Sequence, residues 1–285
     1  MTSIAYVNGT YLPLGEARVS VLDRGFLFAD GVYEVTVVID GKLIDSEAHL
    51  SRLHRSAGEI GIALPLSDAD LLDAHRALIA RNGLTEGLIY LQLTRGAGDD
   101  RDFVPPPALQ PTLVMFAQEK AVLDMPASRT GFAVKTVTDL RWARRDIKSV
   151  ALLAQVIAKR EAVAAGCQEA WMIEDGFVTE GASSTAFILT ADNRLITRPN
   201  SNAVLPGCTA IAVSALAQEQ GLTIERRPFT VDEALAAREA FVTSASTLVM
   251  PVVSIDGAPV ADGAPGPMAA RLRALYIARA RATAV

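Results

Sequence analysis

Lys148 lies in the segment Arg144-Arg145-Asp146-Ile147-Lys148-Ser149, directly ahead of an apolar-periodic run from Val150 to Ala165. Further along, the chain reads Val178-Thr179-Glu180-Gly181-Ala182-Ser183-Ser184-Thr185-Ala186-Phe187. A lysine amine condenses with an aldehyde to a Schiff base. A carboxylate can hold a heteroaromatic nitrogen protonated, so that the ring accepts electrons from a carbanion. One lysine at a helix boundary and one glutamate among small residues are thus the pair that pyridoxal 5'-phosphate (PLP) chemistry requires. The run after Lys148 predicts a helix over 149–165, with Ser149 as its N-cap and Val150, Leu153, Val156 and Ile157 as apolar positions. A lysine there lies near the positive helix end, with Arg144 and Arg145 close in sequence. Positive neighbours favour the neutral amine, the form that attacks an aldehyde. Glu180 is followed by Gly181, Ala182, Ser183 and Ser184, with no bulky side chain among them. Small residues let a planar ligand approach the backbone, and the hydroxyls of Ser183 and Ser184 can orient its oxygens.

A phosphate on that ligand needs its own receptor. Leu50, Leu53 and Ala57 mark the buried stripe of one helix, and Arg52 lies off it. Its plainer reading is a solvent-facing side chain; the functional one is a phosphate clamp, for which the guanidinium fork suits two oxygens at once. Leu205-Pro206-Gly207-Cys208-Thr209, a turn leading into a helix, would supply free N–H groups and a favourable dipole. Thr243-Ser244-Ala245-Ser246, after the strand-like Ala240-Phe241-Val242, could add hydroxyls or N–H groups.

The elements that must carry these residues alternate between hairpins and helices. Asn8-Gly9, Asp40-Gly41 and Asp256-Gly257 each read as a two-residue hairpin turn between strand formers. Helical periodicity covers Leu50 to Ile60, ended by Gly61, and 68–81, opened by Ser67 and stopped near Asn82-Gly83. Residues 89–94 and 112–116 read as strands, and the polar, proline-rich segment 96–111 between them is long enough to be functional. In the second half, strands over 170–173 and 177–178 flank a Glu174-Asp175-Gly176 turn, and 186–190 pairs with 194–197. Helices follow over 209–220 and 267–282. No GxGxxG follows a strand. The pattern is α+β with largely antiparallel sheets. The expected organisation is a small α+β domain over 1–118, a linker over 119–131 and a larger PLP-binding domain over 132–285.

The chain has 285 residues, half of them hydrophobic, with a net charge of −5 and no long basic block. That argues against nucleic acid as a partner. Its two cysteines and three histidines form no metal-binding spacing, so no metal site is expected, and a reducing cytoplasm fits. No secretory leader or spanning apolar stretch is visible, and a membrane partner is not expected.

These motifs together resemble the PLP-dependent class IV aminotransferases of fold type IV, and within them the D-amino acid aminotransferases most. The likeness runs from Asp23-Arg24-Gly25-Phe26 and Asp30-Gly31-Val32-Tyr33-Glu34-Val35, through His49-Leu50-Ser51-Arg52-Leu53 and Asp146-Ile147-Lys148-Ser149. It continues to Thr179-Glu180-Gly181-Ala182-Ser183-Ser184, Leu205-Pro206-Gly207-Cys208-Thr209 and Thr243-Ser244-Ala245-Ser246. The resemblance implies two domains, the C-terminal one a pseudo-barrel, with the cofactor between them in a homodimer. It implies Lys148 as Schiff-base lysine and proton shuttle, Glu180 on the pyridine nitrogen and Arg52 on the phosphate. Leu205 would lie against the ring, and Gly207, Cys208, Thr209, Ser244 and Ala245 around the phosphate. Tyr33 and Tyr90 would line the substrate side. The implied reaction transfers the amino group of a D-amino acid such as D-alanine to 2-oxoglutarate or pyruvate.

One departure bears on the substrate. Well-known D-amino acid aminotransferases present an Arg-x-His pair in the loop after Thr-Arg-Gly, gripping the substrate carboxylate. Here Arg101 can stand for the arginine, but Phe103 replaces the histidine, and Asp99, Asp100 and Asp102 surround them. Arg101 therefore reads equally as a surface residue paired with those aspartates. Aminodeoxychorismate lyase, branched-chain L-aminotransferase and (R)-amine transaminase share the lysine and cofactor machinery and stay open at this level. So does a non-catalytic ligand-binding descendant, against which the intact Lys148, Glu180 and Arg52 argue.

Overall fold

The structure is a computed structural model and describes residues 3–285. The chain divides into two compact units. The first holds residues 1–121, 147–151 and 281–285; the second holds 122–146 and 152–280. Read from sequence, Lys148 and the C-terminus fall in the second domain. By contacts, both the segment 147–151 and the last five residues pack with the first unit.

The first unit is built on one antiparallel sheet. Its strands are β1 (Ile4–Val7), β2 (Thr10–Pro13), β3 (Gly31–Ile39), β4 (Lys42–Leu43), β5 (Glu86–Thr94) and β6 (Thr112–Glu119), in the order β2-β1-β6-β5-β3-β4. A short helix, α1 (Arg24–Phe28), precedes β3, and α2 (Ser46–Glu59) and α3 (Asp68–Asn82) follow β4. Asn8-Gly9 and Asp40-Gly41 have positive φ at both positions, as type I′ hairpin turns demand. Ser67 caps α3 by accepting the Asp70 N–H, and left-handed Gly83 ends it. Strand alternation then sorts β3. Val32 and Val38 join the core with Leu53, Leu78, Leu91 and Met115, while Tyr33 faces the other way.

The second unit carries α4 (Ala127–Thr130), β7 (Phe132–Thr138), α5 (Leu153–Ala164), β8 (Glu169–Glu174), β9 (Phe177–Gly181), β10 (Thr185–Leu189) and β11 (Arg194–Thr197). After these come α6 (Cys208–Glu219), β12 (Thr223–Arg226), α7 (Val231–Leu235), β13 (Glu239–Ser244), β14 (Leu248–Ile255), β15 (Ala258–Pro259) and α8 (Pro267–Thr283). The strands form one sheet in the order β12-β11-β10-β13-β14-β7-β8-β9, with β15 on β14. Three of its pairs are parallel, β11 with β12 and β7 with both β14 and β8. The sheet curls so that β9, at one end of the order, returns to β10, which makes the half-barrel. Its core gathers Trp171, Phe229, Ile188, Val242 and Met250.

The helix expected from Ser149 begins instead at Leu153, with Leu152 as N-cap. Residues 148–150 stay out of the helix because β3 uses their backbone. The Tyr33 N–H donates to the Lys148 carbonyl (3.0 Å), the Val150 N–H donates to the Gly31 carbonyl (3.0 Å), and Ser149 bridges Val32. The periodicity after Ser149 is genuine, but a long-range strand partner outcompetes the local helix start.

Candidate active site

Lys148 is therefore presented from a segment bridged to β3 and not from a helix N-terminus. Its backbone N–H donates to Ser56 Oγ on α2 (3.2 Å), and Ser56 is fully buried. Its Nζ lies 4.1 Å from the centroid of the Tyr33 ring. Tyr33 stacks on Tyr90 (5.7 Å between centroids), and Tyr90 on Phe116 (5.0 Å). Register explains the row: Tyr90 pairs with Phe116 and Val35, and Gln92 pairs with Tyr33, so one sheet face carries all three rings. The Tyr90 hydroxyl donates to Gln92 (2.8 Å), and burial followed by the neighbouring Tyr33 pushes its phenol up to about 12. Arg144 and Arg145 do not stand as free positive charges beside the lysine. Arg144 pairs with Asp146, and Arg145 with Glu174 and Asp139.

Arg52 is half-buried, with its side chain only 9% exposed, contrary to its solvent-facing reading. Its Nε donates to Glu34 Oε1 and its Nη2 to Glu34 Oε2, each at 2.8 Å. His49 Nδ1 meets Glu34 Oε2 at 2.7 Å. Burial raises the Glu34 carboxyl, but the Arg52 charge and the hydrogen bonds from Arg52 and His49 outweigh it and hold it at about 2. A charged residue inside an otherwise apolar strand was the signal for this cluster, since a buried carboxylate must be paired.

Within the second unit, Glu180 is buried on β9 and accepts the Leu205 N–H (3.2 and 3.3 Å to its two oxygens). Arg141 Nη1 contacts the same carboxylate. Arg141 is in turn gripped by Asp139, through Nε (2.9 Å) and Nη2 (2.7 Å), and Asp139 also accepts from Thr179 (2.6 Å). Burial pushes the Glu180 carboxyl above its ordinary range against the pull of Arg141 and the Leu205 N–H. Asp139 is pushed up by burial but held below its ordinary range by Arg141. Sequence reading missed Asp139 and Arg141; their signal is an Asp-x-Arg placed just after strand β7.

The neighbouring motif departs from expectation in one detail. The Ser183 and Ser184 hydroxyls donate to Glu169 (3.2 and 3.0 Å). Glu169, which sequence reading also missed, is buried and further held by Lys159 (3.1 Å).

Helix α6 starts directly after Gly207, and no side chain caps it. Cys208 and Thr209 are buried in its first turn. A Cβ on Gly207 would meet Thr185 Oγ1 at 2.8 Å, so the approach to this helix end is kept narrow. After β13, the Ser244 hydroxyl bonds Thr247 Oγ1 (2.8 Å) and accepts the Thr247 N–H (3.2 Å), which folds 244–247 into a tight turn with Ala245 half-buried. Among the described residues, Thr243 Oγ1 is buried with no hydrogen-bond partner. An uncapped helix end, a hydroxyl-rich turn and an orphaned buried hydroxyl are a donor set that fits an anion.

In the loop after β5, Arg24 donates to the carbonyls of Asp102 (2.6 Å) and Phe103 (2.8 Å) while its Nε holds Asp30 (2.9 Å). Asp30 also takes Arg95 (2.7 Å). Arg101 lies over Phe28 and Phe103, 5.0 and 5.6 Å from their centroids. Among the described residues it makes no ion pair with Asp99, Asp100 or Asp102. The reading of Arg101 as a paired surface residue therefore lacks its pairs.

The chain matches the class IV aminotransferase family over residues 31–255. It belongs to the class IV aminotransferases. It is 38% identical to the D-alanine aminotransferase of Staphylococcus aureus (strain MSSA476) over 270 residues, 94% of each chain. It is 39% identical to the D-alanine aminotransferase of Bacillus licheniformis over 262 residues, 92% of this chain and 91% of that one. Among solved structures, the branched-chain amino acid aminotransferase of Escherichia coli superposes with a TM-score of 0.91 at 25% identity, covering 98% of this chain and 95% of that one.

Proposed function

We propose that this chain is a PLP-dependent D-amino acid aminotransferase, moving the amino group of D-alanine or a similar D-amino acid to a 2-oxo acid, either 2-oxoglutarate or pyruvate. The observation that carries the reading is the match, over nearly the whole chain, to proteins named D-alanine aminotransferase. The residues fit the cofactor. Lys148 would hold it covalently, Glu180 would face its ring nitrogen, and Arg52, the α6 N-terminus with Cys208 and Thr209, and the Ser244–Ala245 turn would take its phosphate.

When bound, PLP supplies an electron sink for the bond electrons of the substrate α-carbon. The protein supplies the rest. Lys148 Nζ would serve as the group that takes the proton from the substrate α-carbon and gives it back, as an amine with a free lone pair can. Glu180 would face the ring nitrogen as its hydrogen-bonding partner, a carboxyl held in place by Arg141 and the Leu205 N–H. Tyr33 forms the wall against which the lysine amine rests, and Tyr90 supports Tyr33 from behind. Arg101, carried on two phenylalanine rings, is the candidate receptor for the substrate carboxylate.

The protein is also proposed to act as a cytoplasmic homodimer. Helix α5 buries alanines, Ala158 and Ala162, yet exposes Leu153 (72%), Val156 (50%), Ile157 (44%) and Val163 (62%). An outward stripe of large apolar side chains on one helix face is unusual for a monomer, and a second copy of the chain would cover it. No helix among the described residues is long and apolar enough to cross a membrane.

The test is to mix PLP-loaded protein with D-alanine in one cuvette and an L-branched amino acid in another, and follow the visible absorption of the bound cofactor. Loss of the band with D-alanine alone, with pyruvate appearing, is expected. Loss with the L-amino acid alone would overturn the proposed stereochemistry.

A further inference from the structure

Helix α2 presents His49, Arg52 and Ser56 on one face, three and four residues apart. Ser56 touches the Lys148 backbone, so Arg52 lies one helical turn from the contact that seats the lysine. The same face meets Glu34 on β3, and Glu34 stands next to Tyr33, the residue under the lysine amine. Glu34 is 3% exposed and takes the Nε–Nη2 edge of Arg52 in a two-pronged bond, with His49 on one of its oxygens.

We propose that Glu34 is the positioning residue of the phosphate clamp: it fixes the plane of the Arg52 guanidinium, so that Arg52 meets the cofactor phosphate already ordered. The proposal rests on the reading of Arg52 as a phosphate ligand. Two physical effects oppose each other here. An ion-paired arginine attracts a phosphate less strongly than a lone one. Against this, a long side chain left free must be ordered at the moment of binding, and a pre-set planar fork avoids that loss. Burial decides the balance: a guanidinium confined at this depth gains little by being unpaired and loses its aim. His49, the second group on the carboxylate, stops Glu34 from rotating out of the fork.

The experiment titrates the apoprotein with PLP and, separately, with pyridoxal, which has the aldehyde and ring but no phosphate. Wild type, Arg52→Ala, Glu34→Gln and Glu34→Asp are compared. Glu34→Asp keeps the charge but is one methylene too short for both prongs, and it serves if Glu34→Gln does not fold. Both Glu34 variants are expected to weaken PLP binding about tenfold or more, as Arg52→Ala does, and to leave pyridoxal binding within about twofold. Unchanged or tighter PLP binding in the Glu34 variants, with Arg52→Ala still weakened, overturns the positioning role and leaves the phosphate reading standing. Equal losses for PLP and pyridoxal in the Glu34 variants also overturn it, because they report general disruption. If Arg52→Ala itself does not change the preference for PLP over pyridoxal, the phosphate reading of Arg52 fails and the proposal falls with it.

Discussion

Tyr33 and Lys148 are tied twice: the Tyr33 N–H donates to the Lys148 carbonyl at 3.0 Å, and the Lys148 Nζ lies 4.1 Å from the centroid of the Tyr33 ring. The backbone bond sets the height of the lysine along β3, and the ring sets the direction of its side chain. A lysine so held needs no helix dipole to be placed.

Lys148→Ala is expected to abolish covalent retention of PLP and to lower turnover by about a thousandfold or more, since it removes the proposed nucleophile and proton shuttle together. Borohydride reduction followed by mass measurement of the protein checks the first, and pyruvate release from D-alanine the second. Turnover within tenfold of wild type would remove Lys148 from the chemistry.

Glu180→Gln is expected to leave PLP bound while slowing single-turnover reaction with D-alanine by about a hundredfold. Arg141→Met should act in the same direction more weakly, because Arg141 contacts Glu180 and is itself held by Asp139. Stopped-flow decay of the cofactor band distinguishes the two. A larger effect for Arg141→Met than for Glu180→Gln would reverse the proposed order of contact.

Arg101→Ala is expected to raise the KM for D-alanine by about ten- to a hundredfold with a smaller change in kcat, as loss of a charge-assisted carboxylate contact would. Phe103→Ala should raise it less, by loosening the ring face on which the guanidinium lies. An amine lacking the carboxylate supplies the control: its rate should not respond to either change.

Glu34 predicts a pH dependence of stability. Its carboxyl sits at about 2 in the folded protein against an ordinary 4.5, so its pairing stabilises the fold fully above pH 4.5 and progressively less as pH falls towards 2. The contribution is about 3 kcal/mol, of which about 2 kcal/mol is lost by pH ~3. Urea unfolding of wild type and Glu34→Gln at pH 7 and pH ~3 checks this. The gap between the two proteins should narrow at the lower pH.

Leu153→Glu combined with Ile157→Lys is expected to shift the protein from twice the chain mass to a single chain in sedimentation, since both side chains lie on the exposed stripe of α5. An unchanged mass would move the interface away from α5.

Local chemistry made much of the fold legible. Asn8-Gly9, Asp40-Gly41 and Asp256-Gly257 announce their hairpins because few other residue pairs accept two left-handed positions, and the structure has them so. The caps at Ser67 and Gly83 bound α3 for similar reasons. What could not be read depends on partners distant in sequence. Ser149 looks like a helix cap until Val32 claims its backbone. Arg52 looks solvent-facing until Glu34 is known to lie beneath it. Ser183 and Ser184 look free until Glu169 takes their hydroxyls. The individual motifs around Lys148, Glu180 and Arg52 were visible as residue types, whereas the buried acids that hold each one in place were not, because a single carboxylate in a strand carries no mark of what it faces.

The grouping of residues 147–151 with the first unit also bears on how this gene can be divided. A break in the polypeptide after residue 121 would leave β3 and Tyr33 on one piece and Lys148 on the other, with neither piece keeping the pair. Fission, or expression of either half alone, would separate Tyr33 from Lys148. The segment 147–151 belongs, by contact, to the part of the molecule that precedes it.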